Sequence, residues 1–266
     1  MSVVTNRVGT MEYLSAQGIT VPHAFTTRLG GVSQGYLASL NLGMHRGDDP
    51  INVQENYARL AAALGFDPGK LVLTWQIHSD IVRQVTAEDA SGIDHRNYPQ
   101  CDALITNDPG TALAVFTADC TPILFHDPVT GAVGAAHAGW RGTAAGIAAR
   151  VVDTMVAAFG CDPRNIRAAI GPNIGVCCFE THTDVPEAML AALGEEAKPY
   201  IIRSGEKFRV DLKGINARFL RRAGVENIEI ARECTVCQCH RFWSHRVTKG
   251  ERGSQIAVII REEERE

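Results

Sequence analysis

The sequence contains no stretch approaching the roughly 20 unbroken apolar residues that a helical membrane span requires. It also lacks a basic start followed by a long apolar segment. "MSVVTNRVGTMEYLSAQG" therefore argues against a secretory leader, and a cytoplasmic location is the expectation. There is no excess of positive charge: 26 Lys and Arg stand against 30 Asp and Glu, for a net charge of −4. A nucleic-acid surface, which shows as a basic patch, finds no support. The glycine-rich stretch "TTRLGGVSQG" lacks the G-x-x-x-x-G-K-[ST] arrangement, so it is not a P-loop. The H-x-E and P-C-x-x-C pair of one zinc hydrolase class is missing too. No internal repeat, low-complexity tract or linker divides the chain. What remains is small-molecule chemistry on one folded unit spanning residues 1–266.

The positive content fits that reading. Hydrophobic residues make up 45% of 266, enough for a sizeable core. Eight cysteines in a long chain without an export signal read as reduced thiols or metal ligands, not a disulfide framework. "PHAFTTR" reads as a strand. Asp49 can cap a helix with Pro50 in its first turn, and Val53, Tyr57, Leu60 and Leu64 form its apolar stripe. "KLVLTWQIHSDIVRQVT" is rich in strand formers and reads as one or two strands, with His78 in the middle. "CDALITN", "TALAVFTADC", "TPILFHD" and "AVGAAHAG" are further strands. Ile147, Val151, Met155 and Phe159 recur at helical spacing, and Gly160 ends that helix. "NIRAAIG" returns as a strand. "TDVPEAMLAALG" and "DLKGINARFLRRAG" read as helices, and "NIEIAREC", "RFWSHRV" and "SQIAVIIR" as late strands. Strands outnumber helices, and several are joined by turns too short for a helical crossover. The expectation is a mixed α+β domain with largely antiparallel pairing.

Chemistry gathers in "TADCTPILFHDPVTGAVGAAHAGWRGTAAG". His78, Cys120 and His137 are good zinc ligands, and three protein ligands with one open position is the layout of a catalytic zinc site. Their spacing is long, so the bland alternative is a buried thiol beside two satisfied histidines. Small residues around His137 let backbone approach a ligand, the helix start after Trp140 offers free N–H groups for an anion, and Arg141 and Arg28 are candidate anion-binding forks. Either arginine could equally be structural. "CTVCQCH" offers Cys234, Cys237, Cys239 and His240 as a metal knuckle, but no second cysteine pair stands at structural-zinc spacing.

These residues are familiar as a set. "TTRLGGVS", "SLNLG", "GDDPINVQEN", "WQIHS", "CDALIT", "TADCTPILFHD", "AAHAGWRGT" and "AIGP" occur in an order that resembles the YfiH-like, or laccase-domain, family over nearly the whole chain. That family is variously described as polyphenol oxidases and as purine nucleoside phosphorylases. The resemblance implies an α/β/β/α layered sandwich. It implies a metal site at His78, Cys120 and His137, holding Zn or Cu, with Cys120, His137 and Asp119 in the catalytic group. It adds Gln76 beside Arg28 and Arg141 for substrate. The implied activity is phosphorolysis of adenosine, inosine, guanosine and methylthioadenosine, with adenosine deamination. The implied partners are purine nucleosides and phosphate, acting on a monomer. The late segment departs from the family's aromatic-Ser-Tyr-Arg-Arg run, reading "FWSHRVTKGERGSQ" here. Rival readings are a copper polyphenol oxidase, a Cys–His hydrolase linked to peptidoglycan editing, and a binding module without turnover. A multinuclear copper centre needs clustered imidazoles, and the nine histidines include no His-x-His pair.

Overall fold

Short runs of alternating side chains build most of this molecule, and a computed structural model describes it over residues 2–93 and 99–263. His95 and the end of the acidic tail lie outside the described residues. A hairpin of β1 (Val3–Val8) and β2 (Met11–Ala16), not foreseen from the sequence, leads into β3 (His23–Thr26). Helix α1 (Pro50–Leu64) begins where expected: the Asp49 carboxylate accepts from the Ile51 amide at 2.9 Å, and Gly65 ends it in the left-handed region. The next strand-rich segment splits into β4 (Leu71–Leu73) and β5 (Val82–Gln84). Then come β6 (Ala103–Thr106), β7 (Ala112–Thr117), β8 (Thr121–His126) and β9 (Val133–Ala138). The one-turn helix α2 (Trp140–Ala144) precedes α3 (Ile147–Phe159), which lies between two left-handed glycines. The chain continues through β10 (Arg167–Ile170), β11 (Glu180–Thr181) and α4 (Asp184–Leu193). A second unforeseen hairpin, β12 (Ile201–Ser204) and β13 (Lys207–Val210), is followed by α5 (Leu212–Arg222). It closes with β14 (Asn227–Ile230), α6 (His245–Thr248) and β15 (Gln255–Ile260).

Two six-stranded sheets result, ordered β1-β2-β3-β15-β7-β4 and β14-β10-β8-β9-β6-β5, with a small β11-β13-β12 sheet beside them. Pairing is antiparallel except at β4–β7, β5–β6 and β10–β14. The period of two along each strand sorts the layers. On β7 and β15, Leu113, Val115, Ala257 and Ile259 face the second sheet, where they meet Leu104, Leu124 and Ala135. The alternate residues Ala112, Ala114, Ile256 and Val258 face outward against Val53, Tyr57 and Leu60 of α1. The outer face of the second sheet, including Ile123 and Phe125, packs on α3, α4 and α5 through Val151, Met189 and Ile215. The architecture is therefore the α/β/β/α sandwich, with mixed, largely antiparallel sheets. Among the described residues no helix is long and apolar enough to cross a membrane.

Two sequence expectations fail locally. "WQIHS" is not a strand: β4 lies in the first sheet and β5 in the second, so residues 74–81 must cross between them. "RFWSHRV" is a turn leading into α6, because the Ser244 side chain caps that helix at the Val247 amide.

Candidate metal centre

The crossings between the sheets place the chemistry. His78 rides on the β4–β5 crossing. Cys120 rides on the β7–β8 crossing, which also passes from one sheet to the other, and His137 sits near the end of β9. Both crossings carry a non-glycine residue in the left-handed region, His78 at φ 62° and Asp119 at φ 87°. Such conformations persist only where surrounding bonds enforce them.

For His78 the enforcing group is Asp102, a fully buried carboxylate just before β6. It accepts from the amides of Ile77 (3.2 Å), His78 (3.0 Å) and Ser79 (2.7 Å), and from the Ser79 hydroxyl (2.6 Å). The same carboxylate accepts from His137 Nδ1 at 2.8 Å. Burial works against its charge, but His137 and Ser79 outweigh that and hold Asp102 down to about 2. An ionised Asp102 can only accept, so Nδ1 carries the proton and Nε2 of His137 is left for a ligand. Asp119 is held in the same manner, accepting from Thr235 Oγ1 (2.5 Å), Ser244 Oγ (3.0 Å) and the Arg246 amide (2.6 Å).

The ligand atoms of His78, Cys120 and His137 all lie within 4.8 Å of one another. Cys120 Sγ is 3.9 Å from His78 Nε2, inside the roughly 4.3 Å that a zinc–sulfur and a zinc–nitrogen bond span end to end. The two imidazoles meet edge to face, with centroids 4.9 Å apart. Burial opposes ionisation of the Cys120 thiol, but His137 and His78 bring it down to about 6. Burial likewise opposes charge on His137, yet Cys120 and Asp102 raise it to about 9. Gly139 completes the packing, since a Cβ there would stand 2.7 Å from His78 Cδ2. A thiolate with two imidazoles, one of them oriented by a buried carboxylate, is a donor set that fits a zinc or copper ion.

The centre lies in a cavity of about 650 Å³ walled by Trp75, Phe116, Trp140 and Phe179. Of the other residues singled out in the sequence, Gln76 lines the cavity, but its amide is engaged by the Phe116 backbone, donating to O at 2.9 Å and accepting from N at 2.7 Å. Asp119 also lines it, with its carboxylate held by the three donors above. Neither Arg28 nor Arg141 reaches the cavity wall. Arg28 donates to the carbonyls of Ala38 (2.8 Å) and Cys239 (3.2 Å) and stacks over Trp243, which fixes it to the loops. Arg141 lies over the Trp140 ring at 4.2 Å. The cations that do line the cavity are Arg46, Arg246 and Arg252. Arg252 is half-buried, and its Nε is buried without a hydrogen-bond partner among the described residues. Burial and the adjacent Arg46 bring it down to about 10. Two guanidiniums set side by side on the cavity wall form a seat for an anion. Sequence reasoning missed Asp102, Arg46 and Arg252; "CDALIT" and "GERGSQ" contain two of them, but nothing in the spacing shows where they fold.

The model of a family described as multi-copper polyphenol oxidoreductase laccase matches residues 22–262. A purine nucleoside phosphorylase of Deinococcus radiodurans is 42% identical over 250 residues, covering 94% of this chain and 92% of that protein. The Escherichia coli protein named purine nucleoside phosphorylase YfiH is 40% identical over 236 residues, covering 88% and 92%. The crystal structure of YlmD from Geobacillus stearothermophilus superimposes with a TM-score of 0.90 at 35% identity, covering 98% of this chain and all of that one.

Proposed function

Because the chain belongs to the YfiH/YlmD family with its laccase-type domain, we propose that it is a metal-dependent purine nucleoside phosphorylase. The proposed substrates are adenosine, inosine, guanosine and methylthioadenosine, with phosphate. The supporting observation is one juxtaposition: the His78–Cys120–His137 centre and the Arg46 and Arg252 side chains line the same aromatic-walled cavity. Flat aromatic and apolar walls suit a purine, and the Arg252–Arg46 pair suits a phosphate dianion through charge-assisted hydrogen bonds. In phosphorolysis a phosphate oxygen bonds to the sugar's anomeric carbon as the bond to the purine nitrogen breaks, and the base leaves with the electron pair. The arginines hold the attacking phosphate and orient it. Asp102 keeps His78 and His137 in place, and His137 Nδ1 keeps its own proton, donated in a hydrogen bond to the ionised Asp102. A zinc ion, or copper, held by His78, Cys120 and His137 would supply Lewis-acid polarisation. The same centre is the basis for proposing adenosine deamination as a second outcome.

A nucleoside panel run with and without phosphate, on protein of known metal content, tests the reading. Free base with ribose 1-phosphate is expected, and ammonia marks deamination of adenosine. Cys120→Ser should abolish both and lower metal content while the circular dichroism spectrum stays unchanged. Oxidation of phenols without any nucleoside turnover would sink the proposal.

The Asp102–His137–Cys120 chain also has the orienter–base–nucleophile order of a cysteine hydrolase. Alkylation separates the two readings. A hydrolytic nucleophile loses activity in step with Cys120 modification in metal-free protein, whereas a metal-dependent enzyme is already inactive there.

A further inference from the structure

Four cysteines outside the cavity meet at one point. Cys177 and Cys178 lie on the loop after β10, and Cys234 and Cys237 on the loop after β14. Their sulfurs all fall within 4.8 Å of one another. Cys237 Sγ is 3.6 Å from Cys177 Sγ and 3.4 Å from Cys178 Sγ. The edge of a tetrahedron of sulfurs around zinc measures about 3.8 Å for zinc–sulfur bonds of 2.3 Å. The sequence suggested Cys239 and His240 as partners for Cys234 and Cys237; the fold supplies Cys177 and Cys178 instead. It does so because β10 and β14 run parallel and adjacent, so their following loops leave the sheet side by side, bridged at Asn173 and Cys234.

We propose that Cys177, Cys178, Cys234 and Cys237 form a second metal site, a closed tetrathiolate that binds Zn²⁺. Burial as small apolar side chains does not account for them. Cys177 and Cys237 are exposed and Cys178 is half-buried, yet all point at a common centre. The backbone is shaped around that centre. The Gly175 amide donates to Cys234 Sγ at 3.2 Å, and the amides of Val236 and Cys237 point at the same sulfur. Such N–H groups stabilise a thiolate. Gly175 itself leaves the space open, since a Cβ there would come within 3.2 Å of Cys177 Sγ and 3.4 Å of Cys234 Sγ. The ammonium of Lys213, buried and bonded to the carbonyls of Ala231 (2.6 Å) and Glu233 (2.7 Å), lies close enough to interact with Cys234 and Cys177. A tetrathiolate zinc carries two net negative charges, and this cation offsets part of them. Binding exchanges four thiol protons for one ion, with no change of oxidation state. The four sulfurs complete the tetrahedron and leave no open position, so the site is structural. It staples together two loops that serve the cavity: one continues to Phe179, and the other carries Thr235, which bonds Asp119.

The test is metal analysis of protein purified under reducing conditions and dialysed against Zn²⁺. Wild type is expected to carry two equivalents, Cys237→Ser one, and Cys120→Ser one. Co²⁺-loaded Cys120→Ser should show the charge-transfer and tetrahedral ligand-field bands of four thiolates, and Cys120→Ser/Cys237→Ser should lose them. Should Cys237→Ser not fold, alkylation mapping of wild type replaces it: Cys177, Cys178 and Cys237 should be protected by Zn²⁺ and become reactive on chelation. The proposal is overturned by reduced Cys120→Ser that binds no zinc, or by alkylation of these cysteines that is indifferent to zinc. It is equally overturned if peptide mapping of the protein as isolated, with free thiols blocked and no reductant added, shows a Cys177–Cys237 or Cys178–Cys237 disulfide in place of metal. These outcomes are independent of nucleoside turnover, so failure here and failure of the phosphorylase reading are distinguishable.

Discussion

Asp102 shapes the centre without being one of its candidate ligands. Its two oxygens gather three consecutive amides of the His78 crossing, one hydroxyl and the His137 ring. Asp102→Asn keeps the shape but replaces one acceptor oxygen with a donor. It should weaken binding at His78, Cys120 and His137 by about 10–100-fold, the usual cost of losing a carboxylate behind a ligating histidine. Chelator competition on the variant measures this, and unchanged affinity would refute the positioning role. The convergent trio His78, Cys120 and His137 was legible as a candidate because imidazole and thiolate advertise their chemistry by residue type. Asp102 was not, because a carboxylate that closes a loop looks the same in sequence as one that faces water. The position of Arg28 and Arg141 off the cavity wall was not legible either. Each sits in a motif rich in glycine, but one is used up on loop carbonyls and the other on an aromatic face.

At the level of elements, α1 covers the outer face of the first sheet and takes no part in the cavity wall. The two features that made it readable should separate in size. Asp49→Ala removes one cap and should cost about 1 kcal/mol. Leu60→Ala opens a void under a fully buried side chain and should cost about 2–5 kcal/mol. Urea unfolding checks both, and metal content should stay at the wild-type value in each. Equal costs would mean that the stripe is not what anchors the helix. The long amphipathic helices α1 and α3 and the apolar strands β6–β9 were legible from period alone. β12 and β13 were not, because their exposed alternation, with Ile202 and Lys207 facing water, carries little apolar signal. The β4–β5 segment shows the other limit. Its composition reports strand formers correctly, but which sheet each strand joins depends on partners far along the chain: β7 for one and β6 for the other.

For the whole molecule, the seam between the two sheets sets two imidazoles, His23 and His126, among its apolar side chains. His126 shares the inward parity of Leu124 on β8, and His23 that of Phe25 on β3. His23 is locked neutral: Nδ1 donates to the Val21 carbonyl at 2.8 Å while Nε2 accepts from the Ala16 amide at 2.8 Å. Protonating Nε2 would set one N–H against another. Burial lowers both histidines, and for His126 the nearby cation Arg167 adds to it and the value comes to about 4, from an ordinary 6.5. The sign follows from proton uptake. Above pH 6.5 the imidazoles are neutral in both states, and stability from this source is full. As pH falls from 6.5 toward 4, the unfolded chain takes up protons that the folded one refuses, so stability declines. For His126 alone the loss reaches about 2 kcal/mol by pH 5, at about 1.4 kcal/mol per pH unit. Release of a bound metal in acid acts in the same direction, so the measurement is a difference. Urea unfolding of wild type and His126→Gln at pH 7.5 and pH 5 should show wild type losing about 2 kcal/mol more than the variant between the two. His126→Gln starts lower at pH 7.5, because the neutral imidazole packs between the sheets, but it lacks this slope. Parallel pH dependence in the two proteins would mean that the seam admits a charged imidazole, and acid sensitivity would then have to arise at the metal centre.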